Sequence, residues 1–169
     1  MMKFFVFLTL FCALDFAYDL DYENYTSEFS QSVSSKQSKL DYEGHFILEK
    51  DRAFWSYEKP SKKEIYINKN DIIIVEHDLE QVSFAKLEKI PNLSAIFKQA
   101  KEISPNKLKA TYENTDYIIT LFNGEVKSIS YNDEFENKVL ITLHKPQKNT
   151  KINPSIFKPK FPQNYDILR

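Results

Sequence analysis

The strongest constraint on the fold is an alternation of apolar and polar residues with a period of two. In the clearest case, Tyr42, Phe46 and Leu48 share one face of a strand, while Glu43 and His45 point the other way. Successive side chains of a strand point to opposite faces, so this pattern is typical of a sheet with one dry and one solvated face. The sequence therefore predicts a mainly β protein.

Segments of this kind follow one another along most of the chain. The pair Asn123-Gly124 is the strongest hairpin signal, because a tight two-residue turn needs residues that tolerate positive φ. About eleven short strands in an up-and-down order predict one large, strongly curved antiparallel sheet or barrel. The predicted strands span 25–33, 40–48, 53–58, 64–68, 71–77, 79–85, 107–113, 116–122, 125–132, 137–144 and, at an edge, 157–162, with 145–154 as a long surface loop.

One segment has helical instead of strand spacing. Between residues 93 and 103, Leu93, Ile96, Phe97 and Ala100 recur at intervals of three and four, and charged or polar residues fill the other face. A proline precedes the segment and another follows it, as expected at helix boundaries. The pattern predicts a single amphipathic helix of about three turns in an otherwise all-β chain.

The N-terminus has the features of a secretory signal peptide. Lys3 precedes an apolar run over residues 4–14, and an early positive charge followed by such a run is typical of export signals. The run is shorter than the roughly 20 residues that a membrane-spanning helix needs. We predict cleavage after Ala17, which makes residues 1–17 the signal peptide of an exported protein.

The only cysteine, Cys12, lies within this predicted signal peptide. A lipoprotein signal has a small residue before its cysteine, whereas Phe11 is large, so no lipid anchor is predicted. Cleavage leaves residues 18–169 as one domain without a thiol. A disulfide, a cysteine nucleophile and a thiolate metal site are therefore excluded for the mature chain.

The remaining residues do not form a recognisable catalytic or metal-binding pattern. His45, His77 and His144 are too far apart in sequence for a local metal motif, and the chain has no Gly-x-Ser-x-Gly element. Two glycines cannot build a phosphate-binding loop, and a net charge of −1 without a basic cluster argues against nucleic acid. We predict a protein that is not an enzyme and needs no cofactor or metal.

An aromatic stripe leaves two interpretations open. Phe29, Phe46, Trp55 and Tyr57 alternate along predicted strands in a chain with 14 phenylalanines, 10 tyrosines and 1 tryptophan. These rings could fill a closed core. They could equally line an apolar cavity, because a barrel wide enough to need a helix over its mouth often holds a ligand. Periodicity alone does not separate the two.

Several segments, taken in order, resemble the LolA family of periplasmic carriers of outer-membrane lipoproteins. The resemblance covers nearly the whole mature chain, and the ordered set is more specific than any one motif. The segments are Phe29-Ser30-Gln31, Tyr42-Glu43-Gly44-His45-Phe46, the Trp strand Phe54-Trp55-Ser56-Tyr57-Glu58-Lys59-Pro60, Asp78-Leu79-Glu80-Gln81-Val82 after the apolar strand 72–75, Ile90-Pro91-Asn92-Leu93 at the lid helix, and Phe157-Lys158-Pro159-Lys160-Phe161-Pro162.

The resemblance implies an unclosed β-barrel with a helical lid and an apolar interior. It implies a monomeric carrier that takes acylated lipoproteins from an inner-membrane lipoprotein-releasing ABC transporter to an outer-membrane acceptor, LolB-like or unidentified, without bond chemistry. The alternative is a general periplasmic lipid-binding or envelope-sensor module on the same half-barrel. The predicted acyl-chain cavity and lid comprise Phe29, Phe46, Leu48, Trp55, Tyr57, Ile73, Val75, Leu93, Ile96, Phe97 and Ala100.

Two features depart from the family pattern. The family usually has an Arg-Pro pair before its Trp strand, and the arginine helps to hold the lid closed. Here Glu49-Lys50 occupies that place and Arg52 follows nearby, so Lys50 and Arg52 are the candidates for the latch. Lysine is not a simple replacement for arginine. The family's N-terminal helix is nearly absent, because only about six residues precede the first predicted strand.

Overall fold

The computed structural model describes residues 22–86 and 93–168. The predicted signal peptide with its cleavage point, Cys12 and the pair Pro91-Asn92 lie outside the described residues. In this part of the chain, twelve strands form one sheet with a single α-helix, α1 (Leu93–Gln99). The strands are β1 (Asn24–Ser34), β2 (Lys39–Glu49), β3 (Arg52–Lys59), β4 (Lys63–Asn68), β5 (Asp71–Glu76), β6 (Gln81–Lys86), β7 (Lys101–Ser104), β8 (Lys107–Tyr112), β9 (Thr115–Phe122), β10 (Glu125–Asn132), β11 (Lys138–Lys148) and β12 (Asp166–Leu168).

The sheet is unclosed, with the order β12-β6-β5-β4-β3-β2-β1-β11-β10-β9-β8-β7. Two antiparallel meanders, β1 to β6 and β7 to β11, join where β1 pairs with β11 at the centre. At one edge β12 pairs with β6 in parallel. The predicted mainly β, unclosed antiparallel architecture with one helix is therefore confirmed, with twelve strands in place of about eleven.

The hairpin turns follow from residues that tolerate positive φ. Asn123 and Gly124 have φ of 51° and 80°, so the predicted turn between β9 and β10 is confirmed. Glu113 and Asn114, with φ of 48° and 64°, form the turn between β8 and β9. The predicted strands 107–113 and 116–122 leave residues 114 and 115 as their connection, so the turn lies one residue earlier than predicted, because Thr115 already pairs with Tyr112.

The predicted three-turn helix is wrong in its C-terminal part. Helix α1 ends at Gln99, and residues 101–104 form β7, which pairs with β8. Pro105 was predicted to end the helix, but Pro105 and Asn106 form the hairpin connection between β7 and β8. Asn106 has a φ of 61° there. Ile103 is 55% exposed, so its apolar side chain does not continue the buried face of α1.

The C-terminal segment also differs from the prediction. Strand β11 continues to Lys148, so only the later part of the predicted surface loop is irregular. Residues 157–162 are not a strand; a 3₁₀ turn, Pro154–Phe157, precedes them and buries the Phe157 ring against the sheet. Burial of this ring favours an irregular path of the C-terminal segment across the sheet. The edge position predicted for residues 157–162 is occupied by β12.

The two faces of the sheet carry separate apolar clusters. We call the face on which α1 packs the helix face, and the opposite one the tail face. On β3, Trp55 points to the helix face, whereas its neighbour Phe54 points to the tail face. The C-terminal residues Phe157 and Phe161 pack with Phe54 on the tail face. Alternation along one strand thus supplies two different surfaces.

Candidate functional site

An aromatic wall occupies the helix face of β1, β2 and β3. The register places Phe46 opposite Trp55 and places Gly44 between Phe29 and Tyr57, so the four rings converge from three strands. The ring centroids of Phe46 and Trp55 are 4.7 Å apart, and those of Phe29 and Trp55 are 5.3 Å apart. Large, stiff rings give a broad apolar surface at a low entropic cost.

Helix α1 packs on the same face of the sheet with its apolar side, next to β8 and Tyr25. Leu93, Ile96 and Phe97 are buried, in keeping with their spacing along the helix. The Phe97 ring meets Tyr22 and Tyr25 edge to face, with centroid separations of 6.5 Å and 6.3 Å. The helix and the sheet therefore share one continuous apolar cluster.

The second half of this cluster comes from strands that sequence reasoning did not assign to the site. The alternation in β8 to β11 was visible, but it does not tell which strands lie beneath the helix. The additional buried residues on the helix face are Tyr25, Leu108, Ala110, Tyr117, Ile119, Leu121, Val126, Ile129, Val139, Ile141 and Leu143.

Most of the predicted site residues share this surface. Phe29, Phe46, Leu48, Trp55, Tyr57, Leu93, Ile96, Phe97 and Ala100 belong to the cluster beneath and on α1. Ala100 lies just beyond the helix, where its N–H donates to the Phe97 carbonyl oxygen at 3.2 Å.

The placement of Ile73 and Val75 with the other site residues is wrong. Both side chains lie on the tail face, in the cluster of Phe54 and Tyr66, and Val75 pairs with Val82 there. The physical reason is that residues 72–75 form an apolar run without alternation, so the sequence does not indicate which of its residues point to which face.

Three of the tyrosines on the helix face, Tyr22, Tyr25 and Tyr57, lie on or near β1 and β3. Tyr57 donates to Oε1 of Gln31 at 3.2 Å, and the Tyr22 hydroxyl lies 2.9 Å from Oγ of Ser94 on α1. The Tyr25 hydroxyl is buried and has no hydrogen-bond partner among the described residues. Burial raises the pKa of all three phenols, so each stays protonated at neutral pH.

A cavity of about 360 Å³ opens beside the N-terminal end of α1. Its apolar lining includes Leu48, Trp55 and Leu93, which are members of the helix-face cluster. Lys50 and Lys69 are among the polar residues that line it. This cavity connects solvent with the apolar surface beneath the helix.

The two latch candidates lie in different surroundings. Nη2 of Arg52 is 2.5 Å from a carboxylate oxygen of Glu49, and its guanidinium lies 4.4 Å from the centre of the Phe157 ring on the tail face. Lys50 lines the cavity together with Leu93. Arg52 lines the same cavity, but its guanidinium is directed to the tail face.

The histidines have local polar partners. His45 faces Glu58 at 3.4 Å, His144 lies 2.9 Å from Oγ of Ser30, and His77 lies 3.1 Å from the Tyr165 hydroxyl. Within residues 22–86 and 93–168, no three His, Cys, Asp or Glu side chains converge on a common point. The same residues contain no helix with the length and hydropathy to cross a membrane.

Comparison with known proteins gives consistent similarities. The family model described as outer membrane lipoprotein carrier protein LolA matches residues 21–109. The chain is 56% identical to an outer-membrane lipoprotein carrier protein of Campylobacter jejuni over all of both chains. It is 32% identical to the protein of the same name from Helicobacter pylori, covering 87% of this chain and 80% of the relative.

The fold has solved counterparts as well. A crystal structure of a LolA superfamily protein from Nitrosomonas europaea aligns with a TM-score of 0.55. The alignment covers 82% of this chain and 91% of the other at 9% sequence identity, so it is a likeness of fold.

Proposed function

The chain belongs to the LolA family of outer membrane lipoprotein carrier proteins, and from this premise we propose that it carries lipoproteins across the periplasm. In this proposal, the acyl chains of a lipoprotein released from the inner membrane bind to the helix face of the sheet. The protein then delivers them to the outer membrane. It catalyses no bond formation or cleavage.

The observation that carries the proposal is the continuous apolar cluster shared by the helix face and α1. An acyl chain in water is costly, because burying each methylene contributes about 0.8 kcal/mol. A carrier has to offset most of this cost and still release its cargo. A broad apolar surface with a displaceable cover meets both requirements, because cargo and cover make equivalent contacts with the same surface.

The size of α1 supports its role as the displaceable cover. It has seven residues, and a helix this short has little stability apart from its packing. Leu93, Ile96 and Phe97 supply its buried contacts, and Ser94 supplies a hydrogen bond to Tyr22. Acyl chains can replace the first set of contacts, so displacement of α1 exchanges one apolar surface for another.

The proposed acyl-binding surface keeps nine of the residues predicted from the sequence. On β5 the proposal takes Ile72 and Ile74 in place of Ile73 and Val75, because their partners on β4 pair in turn with Ala53 and Trp55 of the helix face. Lys50 remains the latch candidate, since both it and Arg52 line the cavity beside α1 but the Arg52 guanidinium is held over the Phe157 ring on the tail face. The nine residues are Phe29, Phe46, Leu48, Trp55, Tyr57, Leu93, Ile96, Phe97 and Ala100.

We further propose the cellular setting. Residues 1–17 act as a cleaved signal peptide, and residues 18–169 work as a monomer in the periplasm. The lipoprotein is received from an inner-membrane ABC transporter and passed to an outer-membrane acceptor, LolB-like or of another type. Membership of the LolA family supports lipoproteins as the cargo. The transporter and the outer-membrane acceptor go beyond that support and are part of the proposal.

The test is to isolate the tagged mature protein from the periplasm and identify what is bound to it. Acylated proteins should co-purify with the wild type and be lost from Phe97→Asp, which places a carboxylate under α1. Leu79→Asp is the control, because Leu79 is exposed and lies outside the helix-face cluster. Recovery of only free fatty acid or phospholipid would support the general lipid-binding or sensor alternative, and an empty protein would overturn lipid carriage.

A further inference from the structure

The Tyr25 hydroxyl is a buried polar group on the helix face. The side chain is 1% exposed, and its hydroxyl has no hydrogen-bond partner among the described residues. Buried polar groups in proteins are nearly always paired, and leaving one unpaired lowers stability. A phenylalanine at this position would pack the same ring without that cost. The packing seen with α1 in place therefore gives no reason for a hydroxyl here. We look for its role in the state in which α1 is displaced.

The surroundings of Tyr25 place its ring directly between the sheet and the helix. It stacks on Phe46 with a centroid distance of 6.1 Å and an interplanar angle of 15°, and it meets Phe97 of α1 edge to face. The Tyr22 ring lies 5.2 Å away. Displacement of α1 therefore uncovers Tyr25 on the side where the helix now packs.

Tyr22 provides a second hydroxyl at the same place. It lies 2.9 Å from Oγ of Ser94, which is part of α1. When α1 moves away, this hydrogen bond is broken. Two neighbouring tyrosines would then present hydroxyls to whatever replaces the helix, one newly released and one unpaired from the start.

The charges nearby limit what such a ligand can be. In the strand register Tyr25 lies opposite Lys148, whose Nζ is 3.4 Å from a carboxylate oxygen of Glu125. Burial and the negative charge of Glu125 raise the pKa of Tyr25, so the phenol stays neutral and can donate a hydrogen bond. The Lys148–Glu125 ion pair is neutral overall, so it offers no net positive charge to attract an anionic ligand. A neutral acceptor, such as an ester carbonyl oxygen, fits the donor and its surroundings.

Resting on the proposed carrier function, we propose that the hydroxyls of Tyr25 and Tyr22 form a carbonyl-binding site for the ester groups that join the cargo's acyl chains to glycerol. The aromatic wall holds the hydrocarbon, while the two hydroxyls fix where the hydrocarbon ends and the polar backbone begins. Ser94 occupies the Tyr22 hydroxyl while the site is empty. Cargo binding then pairs both hydroxyls, which favours displacement of α1.

This site would give specificity as well as position. An ether oxygen is a weaker acceptor than an ester carbonyl oxygen, so a ligand without the carbonyl pairs Tyr25 poorly, and a site built to hydrogen-bond one ligand group discriminates against analogues that lack it. Esters should therefore bind more tightly than ethers of the same chain length. An apolar surface alone would not distinguish the two.

The experiment compares a glycerol diester with the diether of equal hydrocarbon chains, using displacement of a fluorescent fatty acid from the mature protein. The wild type should prefer the diester by about tenfold, the effect of one unpaired buried hydroxyl. Tyr25→Phe should lose this preference, keep its affinity for the diether, and melt at the same temperature as the wild type or higher. Tyr66→Phe is the matched control, because Tyr66 is buried on the tail face and its hydroxyl donates to Glu64 at 2.6 Å.

The control variant should lose stability and retain the wild-type preference for the diester. If the wild type binds both lipids equally, or if Tyr25→Phe keeps the preference, the carbonyl site is overturned while the carrier function stands. If the wild type binds neither lipid, the failure lies with the proposed acyl-binding function itself.

Discussion

The rings of Phe29 and Tyr57 meet edge to face above Gly44, with centroids 5.2 Å apart and an interplanar angle of 78°. They belong to β1 and β3, which are separated by β2, and Gly44 of β2 pairs with both. Gly44 has no side chain, and its backbone closely approaches the backbone of Ser56 and Tyr57 on β3. A strand glycine that would normally weaken a sheet thus connects the aromatic wall across three strands.

Gly44→Ala should destabilise the fold by about 1–3 kcal/mol, the usual range for overpacking. A Cβ at this position would collide with the backbone carbonyl oxygen of Ser56, which cannot move without disturbing the pairing of β2 and β3. Urea unfolding of the mature protein measures the change. Gly124→Asn is the control, because its φ of 80° is one that asparagine adopts and nothing lies within contact distance. Equal stability of both variants would contradict the close approach.

Trp55, the only tryptophan, should report acyl-chain binding directly. Its indole lies between Phe29 and Phe46 on the helix face, so a chain bound there comes within contact of it. A brominated fatty acid should quench its fluorescence strongly, whereas the unbrominated acid of equal length should not.

The companion variant for this assay is Phe97→Asp, which should weaken binding by about tenfold or more, because acyl chains would have to bury a carboxylate. Leu79→Asp should bind like the wild type. Binding of the brominated acid without quenching would place the chain away from the helix face.

Substitutions of the two latch candidates should affect different properties of the protein, namely its stability and its affinity for acyl chains. Arg52→Ala should lower the free energy of unfolding by about 1–2 kcal/mol, because it removes the guanidinium over the Phe157 ring and the ion pair with Glu49. It should leave acyl-chain affinity unchanged. Lys50→Ala should do the reverse, leaving stability unchanged and altering affinity through the cavity beside α1. Urea unfolding and fatty-acid titration of both variants measure the two effects, and a change of affinity in Arg52→Ala alone would restore Arg52 as the latch.

Stability should fall at alkaline pH through the buried tyrosines. Burial raises the pKa of Tyr131 from 10.0 to about 12. The unfolded chain releases this proton first, so the stabilisation is complete below pH 10 and is lost as the pH rises towards about 12. Unfolding temperatures between pH 8 and 12, followed together with phenolate absorbance, measure the loss. Tyr131→Phe should lose less stability over this interval than the wild type, and an identical slope in both would contradict the assignment.

Local sequence signals predicted the individual elements well. The alternation around Phe46 and Trp55 specified strands with two distinct faces, and Asn123-Gly124 specified its turn, because both depend on neighbours in the chain. The ordered motifs also indicated the family, which the similarity to known carriers confirms.

Other features depended on contacts between residues distant in sequence. The face chosen by Val75, the end of α1 before β7 and the burial of Phe157 follow from what packs against each segment, and an uninterrupted apolar run or a short amphipathic stretch is compatible with either outcome. The burial of the Tyr25 hydroxyl without a partner among residues 22–86 and 93–168 also depends on such contacts. The sequence by itself determined the strands and their two faces, since a period of two is a local property. Only the tertiary structure decided which face the helix covers, because that choice is made by the pairing of β1 with β11 and by the packing of α1 on the surface they complete.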